Sequence, residues 1–145
     1  MLPRNHRLTA KRDFERVSRG RPVHAPYFTV RIAENRLATV RIGIVAGLKV
    51  SKRAVDRNRV KRILRELFQR NILALHPGID IVIHAKSTAV GIPTRTMSDI
   101  LGKTLARAGA LVRPWTSLSP LSQTPNGVIP SATRNPTPRM RNTDV

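Results

Sequence analysis

"DRNRVKRILRELF", residues 56–68, carries five cations, Arg57, Arg59, Lys61, Arg62 and Arg65, with the amide of Asn58 among them. Val60, Ile63, Leu64, Leu67 and Phe68 are threaded between these charges. At about 100° per residue the five apolar side chains fall in one arc about 140° wide. The spacing predicts an amphipathic helix whose apolar face packs on a sheet. Arg57, Lys61 and Arg65 then follow at i, i+4 and i+8 as one stripe, with Asn58 and Arg62 beside it, Arg59 at the far edge and only Glu66 interrupting. Like charges four apart weaken an isolated helix by a few tenths of a kcal/mol per pair. Burying five large apolar side chains, at roughly 1.5–3 kcal/mol each, outweighs that. The apolar rhythm therefore fixes the helix, and the helix holds guanidinium groups at a set spacing. Each guanidinium fork can bind two phosphate oxygens at once.

A solvated charged face is the ordinary reading of such a stripe, but acids do not balance the bases here. Residues 49–70 hold nine cations and two acids. The whole chain of 145 residues has 27 Lys and Arg against 8 Asp and Glu, a net charge of +19. That excess is self-repelling in a compact state and points to a polyanionic partner whose counterions the protein displaces. An anionic membrane is the other candidate surface, but no apolar run is long enough to cross a bilayer, and nucleic acid, with no membrane partner, is the expectation. "MLPRNHRLTAKRDF" contains no apolar h-region, and a signal peptide is not expected. The chain has no cysteine, which excludes disulfides and thiolate metal sites. A cytoplasmic location fits.

Composition changes at Pro114. The stretch 114–145 holds 6 of the 11 prolines and no apolar period, and it reads as a disordered tail. It carries three cations and one acid, so residues 1–113 hold +17 of the charge and form the folded domain. Within that domain a short helix is expected over 9–19, with Thr9 as N-cap and Gly20 as stop. Phe14 and Val17 share its buried side. "YFTVRIA", 27–33, and "ATVRIGIVA", 38–46, read as strands joined by "ENRL" into a hairpin. The long helix is expected over 51–73. "IDIVIHA", 79–85, reads as a buried strand. A last helix is expected over 96–111, with Thr96 and Asp99 at capping-box spacing. Met97, Ile100, Leu101, Leu105 and Ala108 form its apolar stripe. The order α-β-β-α-β-α defines an α+β fold, a two-layer sandwich of helices on a small sheet.

The run "RNRVKRILRE" resembles the signature of the bacterial ribonuclease P protein subunit. "LPRNHRLTAKRDFERV" is similar to that family's N-terminus, "RIGIVAGLK" to the strand before its signature helix, and "IDIVIHAKSTA" to its third strand. The resemblance covers about residues 2–112. It implies an α/β sandwich with a left-handed βαβ crossover. It also implies assembly with a large catalytic RNA and removal of the 5′ leader from precursor tRNA. The RNA carries the chemistry, with Mg²⁺ bound mainly by the RNA and the substrate. The resemblance places Arg57, Asn58, Arg59, Lys61, Arg62 and Arg65 on the RNA-binding helix, and Lys49, Lys52 and Arg53 on the basic approach to it. A cleft between the first helix and the sheet would hold the leader, with Phe14 as its aromatic. Phe28, Arg41 and Lys86 match strand positions near that surface. Ser18 stands where many members carry a second aromatic, Arg31 where some carry Tyr, and Leu48 where a cation is common. Leader contacts are therefore expected to be more ionic and less stacking.

No protein active site is legible. The four histidines, His6, His24, His76 and His84, lack ligand spacing. No Ser/His/Asp set, carboxylate pair or phosphate loop is present, and eight acids leave little for a protein-borne two-metal nuclease. Aromatics make up only 3% of the chain, so it is not an aromatic-rich base reader. A non-enzymatic RNA binder such as a ribosomal protein is the other class that composition allows. DNA binding ranks below both, because no helix-turn-helix pair is visible. No protein partner is implied.

Overall fold

The structure, a computed structural model, describes residues 2–116. Its helices are α1 (Lys11–Ser18), α2 (Ala54–Arg70) and α3 (Thr94–Ala108), and its strands are β1 (Val23–His24), β2 (Phe28–Glu34), β3 (Arg41–Val45) and β4 (Ile79–Ala85). The α+β order expected from the sequence holds, with the short strand β1 added. The four strands form one sheet in the order β1-β2-β4-β3.

The expected hairpin is not formed. β4 lies between β2 and β3, antiparallel to β2 from Phe28↔Ala85 to Glu34↔Ile79 and parallel to β3 from Arg41↔Asp80 to Val45↔His84. The segment between β2 and β3 does turn. Asn35 accepts the Leu37 amide and donates to the Thr39 carbonyl, and Arg36 adopts a positive φ of 60°. The strands leaving this turn nevertheless splay to admit β4. The physical reason is burial on both faces. Asp80, Ile81, Val82 and Ile83 are all nearly inaccessible. A continuous apolar run gains most at the sheet centre. β3 and β4 are thus parallel neighbours joined over α2, a βαβ unit.

Strand alternation sends Val30, Ile42, Ile81 and Ile83 to one face, under α2 and α3. There they meet Val60, Leu64, Leu67 and Phe68 of α2 and Met97, Leu101 and Leu105 of α3. Ile63 is only partly buried at the border of the same core. The opposite face is covered by α1 and the segment before it, where Val17 and Leu8 pack on Val82, with Phe14, Ala33 and Val45 around them. The main sandwich therefore has two layers, and α1 is a partial third.

Helix ends differ from the sequence expectation. α1 starts after Ala10 and α3 after Pro93, without a side-chain cap from Thr9 or Thr96. α3 ends at Gly109, whose φ of 79° suits a residue without Cβ. α2 starts at Ala54 instead of residue 51, because the Ser51 hydroxyl accepts the Arg53 amide and holds that stretch outside the helix.

The domain also continues past residue 113. Trp115 meets Phe68 edge-on at 6.1 Å, and its indole N–H donates to Ser98 Oγ at 3.2 Å. Its ring occupies the space above Gly102, where an added Cβ would come within 2.5 Å. The Thr116 amide donates to Asn71 Oδ1 at 2.7 Å, and Asn71 Nδ2 donates to the carbonyls of Leu67 and Thr116. The expected domain boundary therefore moves to at least Thr116. The remainder of the expected tail lies outside the described residues.

Candidate nucleic-acid interface

The apolar arc of α2 is packed as the sequence spacing requires, so its polar face is held rigidly. A groove along that face is lined by Asn58, Arg62, Arg65, Glu66, Gln69 and Arg70. The exposed stripe thus runs through 58, 62, 65 and 69, and of the expected stripe 57, 61, 65 it keeps only Arg65. At about 100° per residue, Phe68 points between the directions of Arg57 and Lys61. Both of those residues border the core and are half-buried, whereas Asn58, Arg59, Arg62 and Arg65 are exposed. Arg59 faces a second groove, which it lines with Asp56, Val60, Ile63 and residues 89–92.

The partners of these cations decide which are available. Arg70 is paired with Glu66 at 3.2 Å. Among the described residues, Arg59, Lys61, Arg62 and Arg65 make no side-chain hydrogen bond or ion pair, nor do Lys49 and Lys52. Arg53, 75% exposed, approaches Asp56 only to 3.9 Å. Arg57 differs. Its guanidinium donates to the carbonyls of Ser51 and Lys52, at 2.9 and 3.0 Å.

Two strand cations expected near the leader surface have structural partners. Arg41 grips the buried carboxylate of Asp80 with two hydrogen bonds of 2.8 Å and lies 3.5 Å from Asp13. Arg16 and Asn35 also donate to Asp80. Burial alone would raise the Asp80 carboxyl. Hydrogen bonds from Arg41, Asn35 and Arg16 prevail and hold it below the usual carboxylate value. Hydrogen bonding to Asp80 likewise raises Arg41 against the opposing effect of burial. Because Asp13 and Arg16 belong to α1, this cluster fastens α1 onto the sheet. Lys86 donates from its ammonium to the Ala25 carbonyl at 2.8 Å and so ties the turn between β1 and β2 to the end of β4.

The two aromatic candidates separate. Phe28 is fully buried in the main core and presents no ring face. Its direction follows from strand alternation, which puts it on the side of Val30 and Ile32. Phe14 is half-buried on the other sheet face, and its ring lies where a Cβ on Gly43 would come within 2.6 Å. Gly43 is therefore what lets the ring come this close to β3, a close approach no motif in the sequence announced.

That face carries two further groups, Arg31, whose place in the resemblance implied more ionic leader contacts, and His84, to which sequence reasoning assigned no role in a site. Arg31 pairs across from Val82, and its Nε is buried with no hydrogen-bond partner. His84, opposite Thr29, is held below its ordinary pKa by burial and then by the charge of Arg31, so it is neutral near pH 7. A buried donor without an acceptor costs about 1–3 kcal/mol. Only the strand register, which the sequence does not print, brings Arg31 and His84 to one surface.

An α+β domain whose longest helix shows an acid-poor basic face has the make-up of a nucleic-acid-binding protein. The family model for Ribonuclease P matches residues 2–109, and the chain belongs to that family. The ribonuclease P protein component of Pseudanabaena sp. is 36% identical over 113 residues, which span 77% of this chain and 97% of that protein. The component from Xylella fastidiosa is 36% identical over 112 residues, 75% of this chain and 76% of its own length. Among solved structures, the RNase P protein of Staphylococcus aureus superposes with a TM-score of 0.67 at 28% identity, covering 73% of this chain and 97% of that one. The RNase P protein of Thermotoga maritima gives 0.64 at 31% identity, covering 70% and 96%. Family membership makes this chain a protein component of ribonuclease P and implies an RNA partner.

Proposed function

We propose that the chain joins the catalytic RNA of ribonuclease P in the cytoplasm and holds the 5′ leader of precursor tRNA, aiding endonucleolytic release of the mature 5′ end. The observation that carries this reading is the groove on α2, where Arg62 and Arg65 stand beside Asn58 without an acid partner on a helix fixed by its buried face. Arg59, Lys61, Lys49, Lys52 and Arg53 extend the same basic surface. The catalytic RNA is assigned to that surface. The leader is assigned to the sheet face beside α1, where Phe14 offers a ring to an unpaired base and Arg31 a cation to a phosphate.

The protein's part is electrostatic. Two polyanions, catalytic RNA and substrate, repel each other, and a chain of +19 supplies fixed positive charge between them. Less diffuse Mg²⁺ is then needed to bring them together. Among the described residues no three His, Asp or Glu side chains gather to hold a cation, so the proposal leaves Mg²⁺ on the RNA and the substrate. No described helix is long and apolar enough to cross a membrane. The plain RNA-binder reading shares the basic surface but does not explain the family match over residues 2–109.

Titrating the protein against a bacterial ribonuclease P RNA at several salt concentrations tests the assignment. Arg59, Lys61, Arg62 and Arg65 alone predict a log–log slope of about −3 or steeper, at roughly 0.7–0.9 per phosphate. A flat response would contradict it.

A further inference from the structure

Of the five cations in residues 56–68, Arg57 alone has a side-chain hydrogen bond among the described residues, and its engagement is with the backbone of the basic loop before the helix. Its guanidinium donates to the Ser51 carbonyl at 2.9 Å and to the Lys52 carbonyl at 3.0 Å. Around this tie the loop is further braced. The Ser51 hydroxyl accepts the Arg53 amide at 3.1 Å and donates to the Asp56 carboxylate at 2.9 Å. The Val50 amide donates to the Gly47 carbonyl at 3.0 Å, and the Val50 side chain is buried. Lys49, Lys52 and Arg53 themselves project outward from this braced backbone.

The loop needs such bracing. Three cations in five residues repel one another, and they sit at the positive end of the α2 dipole, where cations are unfavourable. Left free, the loop would spread its charges apart. A guanidinium fork with two carbonyl acceptors is well suited to oppose this, since its planar donors reach both oxygens at once. We propose that Arg57 is a positioning residue. It fixes residues 51–53 against α2, so that Lys49, Lys52 and Arg53 meet RNA phosphates in register with Arg62 and Arg65. This rests on the functional reading above, and it reassigns Arg57 from phosphate contact to loop alignment.

The test is a mutant cycle read as affinity for the catalytic RNA, with the full chain. Arg57→Ala is expected to lower affinity about tenfold. In a Lys49→Ala/Lys52→Ala/Arg53→Ala background the same change is expected to have almost no further effect, because the loop charges it aligns are gone. Arg57→Lys is expected to behave like Arg57→Ala, since a point charge cannot span both carbonyls. A direct phosphate contact would instead give multiplying effects in the cycle and substantial rescue by Lys. Either of those results overturns the proposal. Amide exchange of the free protein provides a readout that needs no RNA. Protection at Val50 and Arg53 should fall in Arg57→Ala while α2 and β4 stay protected. Unchanged protection also overturns the proposal. Failure of the wild-type chain to bind catalytic RNA would overturn the functional reading instead, and the exchange experiment would still report on the tie.

Discussion

Replacing Arg62 and Arg65 together with alanine is expected to weaken binding of the catalytic RNA by about 100- to 1,000-fold while leaving the fold intact. A hydrogen bond to a charged partner contributes about 1.5–3 kcal/mol, so two lost contacts cost about 3–4 kcal/mol at the lower end of that range. Both side chains are exposed and lack a partner among the described residues, so no internal contact is lost with them. Alanine is a good helix former, and removing like charges from one face relieves repulsion. Thermal stability should therefore hold or rise slightly. The salt slope should fall by about two, one unit per phosphate contact. Arg70→Ala serves as the comparison. Arg70 lines the same groove but is paired with Glu66, so its loss should matter less. A loss under about threefold for the double variant, with the fold shown intact, would remove α2 from the RNA interface.

The second large effect concerns stability. Asp80→Ala is expected to destabilise the domain by about 3 kcal/mol, near the lower end of what breaking a buried ion pair costs. Asp80 is inaccessible and receives hydrogen bonds from Arg16, Asn35 and Arg41, whereas both arginines reach the surface and can rehydrate when the carboxylate is gone. That partial rehydration is why the lower end applies. Against a typical domain stability of about 5–15 kcal/mol the loss is large, and self-repulsion already opposes compaction here. The pH dependence has a definite sign. The folded-state pKa of Asp80 is lowered, so below about pH 4 the unfolded chain binds the extra proton and stability declines. Above that range the contribution is fully present. Asp80→Asn should flatten this acid limb in urea unfolding measured from pH 6 to pH 3. An unaltered limb, or a loss below about 1 kcal/mol for Asp80→Ala at pH 7, would show that the cluster is not a stabilising element. Because Asp13 and Arg16 bring α1 into this cluster, the same variant should also disturb the surface around Phe14.

The parts of the fold that were legible in the sequence are those set by local periodicity. The apolar face of α2 could be read because 3.6-residue spacing is written into residues 60–68. β4 matched 79–85 because a bounded apolar run has few other uses. Strand pairing was not legible. A short polar turn between β2 and β3 satisfies a hairpin and a splayed pair equally well, and the choice depends on a strand some 40 residues later. The same non-locality hid the partners of Arg41, whose acid lies 39 positions along the chain. A cation that looked free to bind RNA is half of an ion pair. The tie made by Arg57 was hidden for a different reason, since its acceptors are backbone carbonyls and leave no mark in a side-chain pattern. Trp115 was assigned to the tail because its proline-rich surroundings hid a single aromatic anchor. The resemblance put both Phe14 and Phe28 near the leader cleft, but strand alternation turns Phe28 into the main core, while α1 sets Phe14 on the other sheet face.

The most direct measurement is cleavage of precursor tRNA at low Mg²⁺ by a bacterial ribonuclease P RNA, with and without this chain. The account predicts that the protein restores cleavage at the mature 5′ end under conditions where the RNA alone is inactive. If the chain is folded, the RNA cleaves at high Mg²⁺, and the source organism's own RNA likewise gains nothing from the protein at low Mg²⁺, the central claim is contradicted.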